Sequence, residues 1–319
     1  MTAPPIPIVD GHNDTFLSAL VHFRKLHKRS SKGHIDVPRL HEAGVEAAVF
    51  AVCPTRYRFL IKLFTWYWLR QVKKEKNGLH HVRKFSDFAK AREQGKIGAI
   101  MEYEGAGGID AGFKLLEKAS LEGLRVLGIT WANTNKFGTG ARFEDPQEPT
   151  GLTNLGRELV PRAQSLGITI DVSHLNEPSF WDVMEVTTKP VIATHSNARS
   201  ICDHPRNLTD DQIKAIREKK GTVGINFGMK FLDPSGKKEN FDLPMSVFKE
   251  HIDHIVKVAG VDTVALGADF DGTSVPNVVR DCTKYPDLLD FLLENGYSNQ
   301  DVRKLAGENL LRVFKATWD

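Results

Sequence analysis

Ile6-Pro7-Ile8-Val9-Asp10-Gly11-His12-Asn13-Asp14 opens the first regular segment of the chain. Apolar, mostly β-branched residues give way abruptly to His-x-Asp, the pattern of a buried strand that runs into a turn. Side chains alternate across a strand, so residues two apart point the same way. His12 and Asp14 should therefore project together from the strand's C-terminal end. An imidazole nitrogen beside a carboxylate oxygen is a good pair of ligands for a divalent metal. The same residues would also serve as a strand-end histidine and an aspartate capping the next helix. What the rest of the chain places beside them decides between the two readings.

Seven further short apolar runs follow, over 45–52, 97–105, 124–131, 168–174, 190–195, 221–227 and 263–270. Stretches with helical character lie between and after them, at 15–29, 38–43, 57–76, 85–95, 110–122, 152–166, 176–187, 209–219, 244–259, 284–294 and 299–316. Asp110 and Thr209 sit where helix N-caps are expected. Alternating strand and helix implies a parallel sheet. Eight such units in about 300 residues imply an α/β fold of the TIM (β/α)8 barrel type, one domain over 1–319, with a doubly wound open sheet as the alternative. Ligand-type residues favour the barrel, because they recur at the C-terminal ends of strands one, three, five, six and eight: His12 and Asp14, Glu104, His174, His195 and Asp269. That face carries the active site in such barrels, and closure brings residues far apart in sequence into one mouth.

Three histidines and two or three carboxylates at strand ends suggest a binuclear metal site. Two ions about 3.5–4 Å apart need a bridging ligand. Glu102 and Glu104 fall on the same side of their strand, and Glu104, just before the glycines, is the better candidate for the bridge. His12 and Asp14 would then hold one ion, and His174 and His195 the other. Nitrogen and oxygen donors without cysteine suit zinc, and manganese or cobalt would also fit.

Composition narrows the partners. The chain has 319 residues, 41% hydrophobic and 26% charged, with a formal net charge of +3. Bulk charge points to neither nucleic acid nor a membrane. No apolar run approaches the roughly 20 residues of a spanning helix, and Met1-Thr2-Ala3-Pro4-Pro5 has no signal-peptide character. Cys53, Cys202 and Cys282 are scattered without CxxC spacing and read as reduced thiols of a cytoplasmic protein. The aromatic, basic stretch 57–76 reads as an amphipathic outer helix with one face available to a partner subunit, which makes a homodimer possible; membrane attachment is the lesser alternative, because a lone basic amphipathic helix is a weak signal for it.

Asp10-Gly11-His12-Asn13-Asp14, Asp171-Val172-Ser173-His174, Thr194-His195-Ser196-Asn197-Ala198, His204-Pro205-Arg206-Asn207, Gly267-Ala268-Asp269-Phe270-Asp271-Gly272 and the closing Gly307-Glu308-Asn309-Leu310-Leu311-Arg312-Val313-Phe314 resemble the membrane (renal) dipeptidase family, metallopeptidase family M19, among the amidohydrolase-like barrels. The resemblance runs from residue 8 to residue 314. It implies hydrolysis of dipeptides by a hydroxide bridging two zinc ions, with His12, Asp14, Glu104, His174 and His195 as ligands. It further implies Asp269 as the acid/base group and Arg206 as the holder of the substrate's C-terminal carboxylate. Asp271 is expected to order its loop or a neighbouring histidine.

Two positions depart from that family. Where mammalian members end strand four in a histidine that holds the substrate carbonyl oxygen, this chain has Trp131, whose indole offers one N–H and no charge. Stabilisation of that oxygen would then come from the metal or from nearby Asn133 or Asn135, or be weaker. After strand seven, Gly228 stands where the family has an aromatic residue. Both changes leave room for a related amidohydrolase acting on another amide, lactam or N-acyl amino acid. A barrel without activity is the third reading, and the complete ligand set with Asp269 argues against it.

Overall fold

The computed structural model describes residues 6–141, 150–233, 235 and 240–318. Nine strands form one sheet: β1 (Ile8–Asn13), β2 (Val45–Val52), β3 (Leu79–Val82), β4 (Ile97–Tyr103), β5 (Leu124–Gly128), β6 (Thr169–Asp171), β7 (Val191–Ala193), β8 (Thr222–Ile225) and β9 (Val264–Leu266). Every pairing between them is parallel. Eight strands close in the order β1-β2-β4-β5-β6-β7-β8-β9, with β9 returning to β1. This is the TIM barrel expected from the sequence.

The ninth strand was not legible beforehand. β3 pairs with the first half of β4, from Leu79 opposite Ile97 to Val82 opposite Ile100. β5 takes the same edge of β4 only from Met101 onward. β3 therefore fills the lower edge that β5 leaves unpaired. Four residues, two of them histidine, show no alternation long enough to read as a strand.

The interior of the barrel is layered. Val9, Ala47, Val49, Ile100, Val126, Ile192 and Ala265 pack together with Leu310, Val313 and Phe314 of the helix Asn309–Trp318, which closes the floor. Above this layer the inward positions turn polar, with Glu102 and His12 fully buried. The outward strand residues pack under the ring of helices in a second, larger core. The face that carries the site is thus the end of the interior where ionisable side chains from several strands converge.

Strands β6, β7 and β9 are three residues each, shorter than their apolar runs suggest. His174, His195 and Asp269 consequently ride on turns beyond the strand ends. The first helix also stops early, at Val21. Phe23 takes a left-handed backbone, and Arg24 folds inward onto Ser18, Ile35 and Asp271. Thr209 caps its helix through a full capping box. Asp110 does not directly precede its helix; its carboxylate accepts from Lys114 N and Leu115 N four and five residues on. No helix of the described residues is long and apolar enough to cross a membrane.

Candidate metal centre and substrate pocket

β1 carries an extra residue: Asp10 pairs with Ala48, but Asn13 pairs with Phe50. A bulge of this kind re-aims one side chain, and here His12 turns into the barrel. Its Nδ1 meets Glu102 Oε2 at 2.7 Å. With a carboxylate there, Nδ1 carries the proton and Nε2 keeps a free lone pair. That Nε2 is buried without a hydrogen-bond partner. It lies 3.7 Å from Glu104 Oε1 and 3.8 Å from Asp14 Oδ2. The pairing of His12 with Asp14 read from the first strand is therefore seen in space.

The second histidine pair approaches from the other side. His174 Nε2 and His195 Nε2 are 2.9 Å apart, and Glu104 Oε1 is 3.0 Å from the first and 3.9 Å from the second. His195 is oriented by Thr194 Oγ1 at its Nδ1. Thr194 in turn donates to Asp171, which also accepts the backbone N–H groups of Ser173 and Thr194. His174 and Asp269 both have left-handed backbones, with φ of 66° and 59°. Such conformations cost non-glycine residues about 1 kcal/mol or more and cluster at functional sites.

Asp269 completes the ring. Ligand atoms of His12, Asp14 and Asp269 all lie within 4.8 Å of one another, as do those of His12, Glu104 and His195. Asn226 Nδ2 donates to Asp269 Oδ2 at 3.0 Å. Burial above all, with Asp14 adding to it, raises the Asp269 carboxyl to about 6. Glu104 is raised well above the usual carboxylate range by burial and then by Asp14. Burial pushes His174 and His195 well below the ordinary histidine range. For His12 burial acts in the same direction, but Glu102, Asp14 and Glu104 outweigh it and raise the group. The carboxylates of Asp14, Glu104 and Asp269, crowded this closely, repel one another unless a cation sits among them. The unpartnered His12 Nε2 and the all-N/O donor set fit a divalent metal.

Three cavities meet at this point. One of about 360 Å³ is lined by Asp14, Glu104, His174, Asp269, Trp131 and Phe231, among others. One of about 260 Å³ lies between Glu104, Cys53 and Trp131. The largest, about 670 Å³, reaches from His174 past Ser196 to Arg206. Trp131 is half exposed at the rim shared by the two smaller cavities, its ring 6.0 Å from that of His174. Arg206 is buried; its guanidinium donates to His195 O at 3.1 Å and approaches Ser196 Oγ at 3.5 Å, while its Nε has no partner. It forms no ion pair among the described residues.

Asn135, expected at the substrate, lines the cavity between Glu104, Cys53 and Trp131, with its amide tied to its own loop. Its Nδ2 donates to Ile129 O and its Oδ1 accepts from Phe137 N, each at 2.8 Å. A turn whose backbone groups need partners has used both ends of the amide. Asn133 lines the same cavity and also the largest one. An aromatic side chain at 228 has no room, since a Cβ there would lie 2.8 Å from Phe231 and 2.9 Å from Thr273. Phe231 supplies an aromatic ring to the pocket instead. Asp271 orders its loop, accepting from Arg24 and from His34 N.

The sequence profile of the membrane dipeptidase family, peptidase family M19, matches residues 3–319. The chain belongs to this family. The "Uncharacterized protein in pqqA 5′ region" of Klebsiella pneumoniae is 40% identical over 236 residues, 73% of this chain and 87% of its own. Among solved structures, dipeptidase AC, a metallopeptidase of family M19, is 32% identical with a TM-score of 0.92 and covers 99% of both chains. A metallopeptidase from Rhodobacter sphaeroides, liganded with a phosphinate mimic of the dipeptide L-Ala-D-Ala, is 31% identical with a TM-score of 0.92, over 99% of this chain and 100% of its own. The protein is a metal-dependent dipeptidase.

Sequence reasoning missed three groups in the dipeptidase site. Glu102 is the partner of His12, Asp171 organises the turn before His195, and Asn226 holds Asp269. Glu102 had a signal in its two-residue spacing from Glu104. Asp171 lies within the Asp-Val-Ser-His motif. Asn226 had none beyond its place at the end of an apolar run.

Proposed function

We propose that this dipeptidase holds two zinc ions at the barrel mouth and hydrolyses dipeptides that keep a free C-terminal carboxylate. The position of Glu104 carries the reading. One of its oxygens lies 3.0 Å from His174 Nε2, 3.7 Å from His12 Nε2 and 3.9 Å from His195 Nε2. A carboxylate set among both histidine groups can serve two ions at once: His12 and Asp14 would hold one, His174 and His195 the other. Such ions, when bound, lower the pKa of water and polarise a carbonyl.

The chain's own residues do the rest. Asp269, held by Asn226, accepts a proton from water and delivers it to the leaving amine. Glu102 keeps His12 in the tautomer that presents Nε2. Arg206 is a buried guanidinium without a matching carboxylate among the described residues, and a planar fork of this kind pairs bidentately with a substrate carboxylate. Trp131 forms the wall between the two smaller cavities and so borders the substrate's side chains.

Elemental analysis should find about two metal ions per chain. A panel of L,L- and L,D-dipeptides, including L-Ala-D-Ala, and their C-terminal amides tests the substrate. The free acids should be strongly preferred. Arg206→Ala should lower kcat/KM for dipeptides by about 30-fold or more, the effect of losing a buried charge pair, and should erase the preference for acid over amide. A wild type that cleaves acid and amide equally would overturn the carboxylate reading.

A further inference from the structure

The helix Arg58–Val72 lies on the outside of the barrel and contains no acidic residue. Six of its side chains are exposed: Arg58, Phe59, Lys62, Leu63, Trp66 and Arg70. Each is either basic or large and apolar. At about 100° per residue, Trp66, Phe59, Arg70 and Leu63 form one stripe, with Arg58 and Lys62 along its edge. The apolar members are far from buried: Phe59 is 65% exposed, Trp66 55% and Leu63 51%. Tyr57, just before the helix, is half exposed. The neighbouring helix Thr15–Val21 touches this one through Phe16 against Trp68, and its end adds the exposed Leu20, Val21 and Phe23.

Charge says what such a face meets. Residues 56–76 carry seven basic side chains against the single acid Glu75, a formal +6 in a chain whose total is +3. Glu75 is already paired with Lys96 at 2.8 Å. Arg58, Lys62 and Arg70 form no ion pair among the described residues, and Arg70 lies over the Trp66 ring at 5.3 Å. A second copy docking through the same face would set basic side chains against basic side chains, because an isologous interface places one patch on itself. An acidic surface that also accepts aromatic rings meets both halves of the pattern. Trp and Tyr settle at the level of lipid headgroups, and helices with an apolar stripe and a Lys/Arg edge lie in that interface.

We propose that this face docks the dipeptidase on an anionic lipid bilayer, with Phe59, Leu63 and Trp66 entering the headgroup layer and the flanking basic residues pairing with lipid phosphates. The full-length protein is sedimented with vesicles of phosphatidylcholine alone and of phosphatidylcholine with phosphatidylglycerol. It should pellet with the anionic vesicles, partition at least about tenfold less onto neutral ones, and be released by about 0.5 M salt. The double variants F59S/W66S and K62E/R70E should each weaken partition at least about tenfold. Both substitute exposed positions, so far-UV circular dichroism and melting temperature should stay at wild-type values. Two results would overturn the proposal. One is equal or absent binding to both vesicle types. The other is a stable dimer in sedimentation velocity that Trp66→Ser dissociates, which would make the face a subunit interface.

Discussion

Asp269 shows how much one residue's surroundings contribute. Its backbone is left-handed, its amide donates to His12 O at 3.1 Å, and its side chain is held by Asn226. These contacts set the carboxylate beside His12 and Asp14, the position the proposed proton transfer requires. Asn in its place keeps the shape and loses the proton. Asp269→Asn should therefore leave bound metal largely unchanged and lower kcat by about 10²–10⁴-fold. Parallel metal analysis and steady-state kinetics check this; near-normal kcat would make Asp269 structural.

At the level of elements, the site depends on the turns beyond β6, β7 and β9 more than on the strands. In the turn after β9, Gly272 packs so closely that a Cβ there would collide with the carboxylates of Asp14 and Asp269. The Asp271 side chain fastens the same turn to Arg24 and His34. Gly272→Ala should displace both carboxylates and weaken metal binding by roughly 10–100-fold, the usual range for disturbed groups around a ligand set. Metal titration of the apo-protein reads this directly. Unchanged affinity would show that the turn yields without moving Asp14.

For the whole molecule, the proposed ligands join β1, β4 and the turns after β6 and β7. Bound metal therefore ties together strands from both halves of the barrel. A ligand that binds only the folded state stabilises it by about 2.7 kcal/mol at a hundredfold excess over Kd. Chelation should lower the melting temperature, and adding zinc back should restore it. A melt indifferent to chelator would mean that the site is not metal-filled.

Acid acts through histidines that burial depresses, among them His81, held down to about 4, and His251. His251 accepts from Ala198 N at Nδ1 and faces Leu232 O at Nε2, an arrangement that needs the neutral ring. Burial lowers it from 6.5 to about 4. Between those values the unfolded chain binds the proton and the folded chain does not. Stability is therefore full above pH 6.5, falls as the pH drops towards 4 and loses nothing more from this group below that. The total is roughly 3 kcal/mol at 1.36 kcal/mol per pH unit. His251→Gln should flatten this part of the curve in denaturant titrations across that range. An unchanged slope would assign the acid sensitivity elsewhere.

The barrel and the ligand types could be read from the sequence because they rest on local regularities. Apolar runs alternating with helical stretches specify βα units, and eight of them close. His12 and Asp14 share one strand end, so two-residue spacing was enough to pair them. Contacts between distant segments decided the rest. Glu102 meets His12 across 90 residues, and only that contact makes it a partner of a ligand. β3 exists because β5 leaves half of an edge of β4 open. His174 and Asp269 reach the mouth through left-handed turns, which no side-chain periodicity encodes. Asn135 lines the pocket, but only the folded loop shows that both ends of its amide already have partners. The aromatic helix at 57–76 looked like ordinary outer packing, and only its exposure in the fold showed an apolar stripe left facing outward. Periodicity is a property of neighbours along the chain; the sign of a backbone dihedral, the partner of a buried carboxylate and the solvent exposure of a ring are set by what folding brings against them.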